Sequence, residues 1–449
     1  MNHRYRELKS LKKVEKGWIN EIPNTWGYAN LGYFCDFIMG QAPHSDTYNT
    51  IGKGTIFIKA GDFGEKYPII TNYTTNPLVQ SKKGDILICV VGATSGKINF
   101  AIDGSISRSI AALRVKEELE MRYLYYFLDC SYKNINDLAN GSAQGIINKE
   151  ILKNIVIPIP NKLIQQKISD FLDKKTSEFD SIISKKEALI QKLEEAKKSL
   201  ISEVVTGKVK VVKTSDGYEL VERKKEEMKD SGVEWVKLIP NEWNLKRSNY
   251  VFKFSKGLSI TKENLQDEGI PCINYGEIHS KYGFEVNPKK HKLKCVSKEY
   301  LKSNSNALIK YGDFIFADTS EDIKGCGNFS YLNSEDRIFA GYHTVIARTL
   351  ENISSRYLAY LFDSDDWRSQ IRTKVSGIKV FSITQSILKK TEVILPTLEE
   401  QKLIVDYLDN KFLSIDSMIN SMKRQIEKLK EAKQSLISEA VTGKIEILD

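Results

Sequence analysis

Apolar residues recur at alternating steps of four and three along two long stretches of the chain, a pattern that predicts two helices built to pack on each other. At positions 168, 172, 175, 179, 182, 186, 189, 193, 196, 200 and 203, eight of eleven residues are apolar, and the equivalent series from Ile404 to Glu439 also scores eight. Five heptads of that spacing make a narrow coiled-coil seam, not the broader face of an ordinary surface helix. The predicted seam runs through Ile168, Leu172, Phe179, Ile182, Leu193 and Leu200 on one helix and Ile404, Leu408, Ile415, Met418, Leu429 and Leu436 on the other. Pro160 and Pro396 stand just before the periodic stretches, and Gly207 and Gly443 just after them, the usual start and stop chemistry.

The two stretches are copies of each other. Residues 162 to 206 match residues 398 to 442 at 22 of 45 positions without a gap, at a constant offset of 236. Trp18, Ile22, Pro23, Asn24 and Trp26 return as Trp235, Ile239, Pro240, Asn241 and Trp243, now 217 residues on. The chain is therefore one unit used twice, a globular segment followed by a helix. A helix of 45 residues would run roughly 68 Å. Returning along it for a parallel pair would stretch residues 208 to 230 almost fully, at about 3.3 Å per residue, so an antiparallel pair is expected.

Between the helices the period changes to that of strands, as in 85–91 and 313–316, with glycine turns and short helices near 123–128 and 357–362. The expected class is α+β: two mixed α/β heads alternating with two long helices that pair as an antiparallel coiled coil, a dumbbell with pseudo-twofold symmetry. The predicted parts are a basic N-terminal segment (1–16), a first head (17–157), a first helix (158–207), a charged linker (208–230), a second head (231–393), and a second helix with its tail (394–449).

Charge and composition narrow the picture. The net charge of +9 is uneven, with +4 in residues 1–16, zero in 17–157 and +5 in 231–393, which permits a nucleic-acid partner without requiring one. Six scattered cysteines lack CxxC spacing and read as buried free thiols. No apolar run approaches the roughly 18 residues of a membrane span, and the N-terminus lacks a signal-peptide core, so a cytoplasmic protein is expected.

The rod's length equals close to two turns of B-form DNA at about 3.4 Å per base pair. Here the layout resembles the specificity subunit of type I restriction-modification enzymes, in which two target-recognition domains alternate with two conserved spacer helices. The resemblance covers essentially the whole chain. Its carriers are the openers WINEIPNTW and WVKLIPNEW, the stretches GTIFIKAGDF and GIPCINYGEI, the segment KKGDILICVVGATSGKINF, and the helix entries IPIPNKLIQQKISDFLD and VILPTLEEQKLIVDYLD. It implies a subunit that reads double-stranded DNA and holds no active centre, docks two modification (methyltransferase) subunits through its repeated helix ends LISEVVTGK and LISEAVTGK, and is joined by restriction subunits in the full complex.

The residues agree with a non-catalytic role. No Asn-Pro-Pro-Tyr or Asp-Pro-Pro-Tyr tetrapeptide occurs, and the glycine stretch 92–97 has Val91 and Ile98 where a P-loop needs Gly and Ser or Thr, so it reads as a tight turn. Glu195 to Lys197 and Glu431 to Lys433 mimic half of a nuclease motif but fall on the periodic helices as ordinary solvated charges. His3, His44, His279, His291 and His343 show no metal spacing, and neither metal nor cofactor is expected.

Reading surfaces are expected on loops, where amides and guanidinium groups meet base edges and lysines meet phosphates. The first head offers Gln41, His44, Lys59, Ser95, Lys97, Arg108 and Gln144. The second offers an insertion between Gly276 and Gly312 with Lys289, Lys290, His291, Lys292, Lys294 and Lys298, a backbone clamp or equally a solubilising loop. Asn274, Lys324, Arg337, His343 beside it, Lys374 and Lys379 complete the set. Tyr123, Tyr126, Tyr357 and Tyr360 read as core. Two rival readings remain: a structural coiled-coil spacer with protein-binding ends, and the recognition subunit of a fused restriction and methylation enzyme of another type.

Overall fold

Two helices of 44 residues, Lys162–Val205 and Leu398–Val441, dominate the computed structural model, which describes residues 3–140, 145–377 and 379–448. Each begins on a polar cap: the Asn161 side-chain oxygen accepts from the Ile164 amide at 2.9 Å, and the Thr397 hydroxyl from the Glu400 amide at 3.3 Å. Each ends on a left-handed glycine, Gly207 at φ 76° and Gly443 at φ 73°. The next amide reaches back to the helix, Lys208 to the Glu203 carbonyl at 3.0 Å and Lys444 to Glu439 at 2.9 Å, which satisfies an orphan carbonyl.

The chain divides into two compact units, Met1–Glu187 with Met422–Asp449, and Ala188–Ser421. Each holds one head and half of each long helix. In the first unit the Lys433 ammonium meets Asp180 at 2.5 Å and Lys186 meets Gln425 at 2.7 Å, so numbers rise on one helix as they fall on the other. In the second, Lys197 meets Asp416 at 2.6 Å and lies 4.7 Å from the Phe412 ring centre. The helix pair inside each unit is antiparallel, and Lys197 and Lys433 are cross-helix partners instead of the free solvated charges expected of them.

The seam differs in phase from the expected one. Ile168, Phe171, Leu172, Thr176 and Ile183 are buried in the first unit with Ile426, Ile437, Ala440 and Val441. In the second, Ile190, Ile201, Val204 and Val205 are buried with Ile404, Leu408, Phe412, Ile415 and Ile419. Phe179, Leu193, Leu200, Leu429 and Leu436 are half-buried at its edges. Ile182 and Met418, predicted inside, are 45% and 50% exposed, and Ile183 and Ile419 take their places. A nearly straight α-helix drifts by about 20° per heptad against a strict 3.5-residue repeat, so the buried line takes an extra step of four at its start, 168–172–176 and 404–408–412.

Each head is built on two sheets. In the first, the four-stranded sheet runs Ile98–Phe100, Ile86–Cys89, Ile110–Val115, Cys35–Met39, and the five-stranded one Tyr48–Asn49, Tyr73–Thr74, Thr55–Ile58, Gly104–Ile106, Gln80–Ser81. In the second, the five-stranded sheet runs Phe252–Lys256, Thr344–Thr349, Phe314–Ala317, Phe329–Leu332, Phe284–Val286, and the four-stranded one Lys294–Val296, Ile270–Ile273, Ile338–Ala340, Leu308–Ile309. Thr55–Ile58 pairs in parallel with Gly104–Ile106, and Ile270–Ile273 with Ile338–Ala340, the same crossing in both heads. In each, a strand-borne carboxylate is sealed by an arginine: Arg114 on Asp85 at 2.8 Å, Arg348 on Asp313 at 2.6 Å.

The tyrosines are core, as expected. Tyr123 donates its hydroxyl to the Pro158 and Val441 carbonyls at 3.0 and 2.9 Å, and Tyr357 to the Ile394 carbonyl at 3.1 Å. Tyr126 and Tyr360 donate to Asp173 and Asp409 on the spacer helices. The stretch read as a charged linker contains a hairpin, Val209–Thr214 against Gly217–Glu222. Its counterpart in the first unit joins the two ends of the chain, His3–Tyr5 lying antiparallel to Ile445–Ile447. All six cysteines are free, five of them buried and Cys130 partly so. Burial pushes the Cys35 thiol up to about 12 and that of Cys89 to about 11.

Candidate nucleic-acid interface

One end of the first head gathers five segments through backbone hydrogen bonds. The Gln41 amide donates to Ile106 at 3.1 Å, Ser107 to Ile58 at 3.0 Å, Val90 to Ser109 at 2.8 Å and Ile147 to Val90 at 2.9 Å. Gln41, Lys59 and Arg108 therefore belong to one surface. Gly40 permits the approach, because a Cβ there would stand 2.2 Å from the Ser107 carbonyl oxygen. Gln41, His44 and Arg108 are exposed, and His44 is paired with Asp46 at 2.8 Å. Lys59 is half-buried, with its ammonium 3.1 Å from the Asn72 side chain and 5.0 Å from the Tyr48 ring centre.

Two candidates from the glycine turn behave differently from expectation. Ser95 is buried and its hydroxyl closes on the Gly92 carbonyl at 2.7 Å, because so tight a turn uses its own polar groups. Lys97 is exposed along its stem but its ammonium donates to the Phe63 carbonyl at 2.8 Å. The turn joins two antiparallel strands. Gln144 lies outside the described residues.

The second head repeats the same backbone ties with other side chains. Leu258 donates to Ala340 at 2.8 Å, Gly341 to Ile273 at 2.7 Å, Asp318 to His343 at 3.1 Å and Ile383 to Asp318 at 2.7 Å. His343 is exposed at this end. Asn274 reaches it but is buried, its amide turned onto Glu277 at 3.3 Å beneath Gly341, so it offers no exposed edge. Lys324, Lys374 and Lys379 are exposed in segments flanking the bridge between Thr319–Ser320 and Phe381–Ser382. Arg337 precedes the strand Ile338–Ala340 and so lies at the opposite end of it from Gly341 and His343; the expected neighbourhood of Arg337 and His343 does not form.

The basic insertion is folded rather than free. Phe284–Val286 extends one sheet and Lys294–Val296 the other. His291 stacks on Tyr282 at 4.8 Å between ring centres. Lys289 meets Asp336 at 3.5 Å and Lys294 meets Asp267 at 2.5 Å, acids supplied from outside the run. The Lys294 ammonium holds the exposed Asp267 carboxyl below its ordinary range. Lys290, Lys292 and Lys298 remain exposed. Reading the sequence alone missed Tyr275, Asp318 and Tyr342 at the loop end. Their signal was positional, since they fall where the first head carries Ala60, Val90 and Arg108.

The repeated helix ends have an internal occupation. A Cβ at Gly207 would stand 2.5 Å from Pro240 and 3.0 Å from Trp243, and one at Gly443 would stand 2.6 Å from Pro23 and 2.8 Å from Trp26. The two most alike parts of the chain, the helix ends and the head openers, thus pack on each other within each unit. Among the described residues no three His, Cys, Asp or Glu side chains gather as a metal site, and no helix is long and apolar enough to cross a membrane.

The family described as type I restriction modification DNA specificity domain matches this chain twice, over residues 23–195 and 240–431. The type I restriction enzyme MjaVIII specificity subunit of Methanocaldococcus jannaschii is 23% identical over 435 residues, 95% of this chain and 94% of that protein. The same organism's putative type I restriction enzyme MjaX specificity subunit is 35% identical over 211 residues, 46% of this chain and 48% of its own length. The type I restriction enzyme EcoKI specificity subunit of Escherichia coli is 23% identical over 211 residues, 46% of this chain and 44% of that protein. A solved chain from a study of assembly and conformational transition of the type I R-M system superposes with a TM-score of 0.69 at 16% identity, covering 94% of this chain and 99% of that one. That likeness establishes the fold.

Proposed function

This chain belongs to the type I restriction-modification DNA specificity family, and from that premise we propose that it is the non-catalytic subunit that reads a bipartite site in double-stranded DNA. Each head reads one half-site, and because the heads differ the site is asymmetric. The observation that carries this reading is the pair of loop ends tied by the same backbone hydrogen bonds but lined by different side chains. Gln41, His44, Lys59 and Arg108 in the first head, and His343, Lys324, Lys374, Lys379, Lys290 and Lys292 in the second, are the contacts we assign to DNA, with the lysines on phosphates.

The spacer helices set the half-site separation and dock two modification subunits, to which restriction subunits add in a cytoplasmic complex. Supporting this, Ile182 and Met418 occupy equivalent repeat positions and are exposed apolar side chains on the helix in their respective units. Beside Ile182 a groove of about 500 Å³ is lined by Phe179, Leu436 and Tyr5. The buried part of the helix ends, Val204, Val205, Ala440 and Val441, is not available for docking, so the docking surface we assign lies on the outward helix faces that include Ile182, Met418 and Leu436.

The deciding experiment is methylation mapping of genomic DNA from cells carrying this subunit with its methyltransferase. Two short blocks separated by unspecified bases are expected, and exchanging one head should change one block. A continuous motif overturns the proposal, as does failure of a complex with the methyltransferase to form. Retention of duplex DNA by that complex should fall steeply with salt.

A further inference from the structure

The second head holds a cluster that the first lacks. Val90 and Ser109 occupy a backbone tie in the first head, and the same tie in the second carries Asp318 and His343. The His343 Nδ1 lies 3.1 Å from an Asp318 carboxylate oxygen. The rings of Tyr275, Tyr342 and His343 meet edge to face, with centres 5.3, 5.7 and 6.0 Å apart. The cluster borders a cleft of about 540 Å³ that Gly257, Ser382, Thr384 and Gln385 also line. Below it, the buried Asn274 side-chain oxygen has no hydrogen-bond partner among the described residues.

His343 sits at φ 54°, one of two non-glycine residues in left-handed backbone among those described. Such a conformation is uncommon outside glycine and persists only where the surroundings impose it. The carboxylate accepts a hydrogen bond, so it fixes the proton on Nδ1. Nε2 is thereby left as an acceptor on an exposed ring that lines the cleft. We propose that His343, oriented by Asp318 and flanked by Tyr275 and Tyr342, reads one base pair of the second half-site by accepting from a major-groove amino group, adenine N6 or cytosine N4. The assignment rests on the DNA-reading function proposed above and adds which side chain of the second head discriminates, and for what chemistry.

The test uses the full complex and the methylation map of host genomic DNA. His343→Gly removes the ring without straining a left-handed backbone. It is expected to lose discrimination at one position of the second block, on the order of ten- to a hundredfold, and to leave the first block unchanged. Asp318→Asn presents both a donor and an acceptor to Nδ1, so either tautomer is held, Nε2 accepts or donates, and discrimination at the same position should relax to admit guanine. His343→Asn, which also adopts this backbone, should favour adenine there and keeps the question answerable if the glycine variant fails to assemble. An unaltered second block in all three variants overturns the assignment while the bipartite reading stands. A wild-type complex that yields no bipartite motif overturns both.

Discussion

The two heads share a framework and differ at one end, and the boundary between likeness and difference follows burial. Asp85–Arg114 and Asp313–Arg348, the parallel strand crossing, and the tyrosine hydroxyls on the helices repeat in both. So do Gln165 and Gln401, whose amides bridge the Glu120 and Ser354 amides to the Pro160 and Pro396 carbonyls. Each of these ties has at least one buried partner, such as Asp85, Asp313, Gln165 or Gln401, and changing the other partner would strand that group away from water. At the loop ends, Arg108 faces solvent in one head where Tyr342 stands in the other, and Ser109 where His343 stands. There the ties that both heads share run between backbone atoms, so the side chains are free to differ. A chain that must read two different half-sites from one scaffold needs that separation.

The helix ends carry the greatest shared dependence of the two units. Gly207→Ala and Gly443→Ala each add strain at positive φ and a clash with proline, and each should cost about 3–5 kcal/mol in thermal or denaturant unfolding. Gly52→Ala, at φ 83° with nothing nearby, should cost only about 1 kcal/mol. If the helix-end variants cost no more than Gly52→Ala, the packing of repeat end on opener is wrong.

Next come the sealed carboxylates. Arg348→Ala leaves Asp313, whose side chain is 2% exposed, without its cation, and Arg114→Ala does the same to Asp85 at 3%. Each should lose about 3 kcal/mol, and the comparison predicts that the two losses agree within about 1 kcal/mol. A large gap between them would show that the frameworks are alike in geometry only.

Smaller again are the seam variants. Ile183→Ala and Ile419→Ala should cost about 2–3 kcal/mol each, whereas Ile182→Ala and Met418→Ala should stay below about 1 kcal/mol. The reverse order would restore the strict heptad phase. The smallest effect belongs to a permuted chain. Joining the paired terminal strands His3–Tyr5 and Ile445–Ile447 by a short turn, and opening the hairpin between Ser215 and Asp216, exchanges one connection for its counterpart. Its melting should shift by no more than about 1 kcal/mol in stability, and a collapse of folding would deny that the two connections are equivalent.

Much of this architecture was legible in the chain itself. The constant offset of 236 fixed two equal helices, their glycine stops were where the structure has them, and strand periodicity located the central strands Ile86–Cys89 and Phe314–Ala317. Those features are local or repeated, so spacing alone reveals them. Tertiary packing decided the rest. Ile183 displaces Ile182 from the seam because the partner helix selects the face. Ser95 and Asn274 turn inward onto Gly92 and Glu277, and the basic insertion is held because Phe284–Val286 and Lys294–Val296 pair with strands from elsewhere in the chain. Asp318, Tyr275 and Tyr342 meet His343 only through hydrogen bonds between segments far apart in sequence. Periodicity records which residues share a face of their own element. Which faces and loop ends come together depends on long-range contacts that no short window of sequence contains.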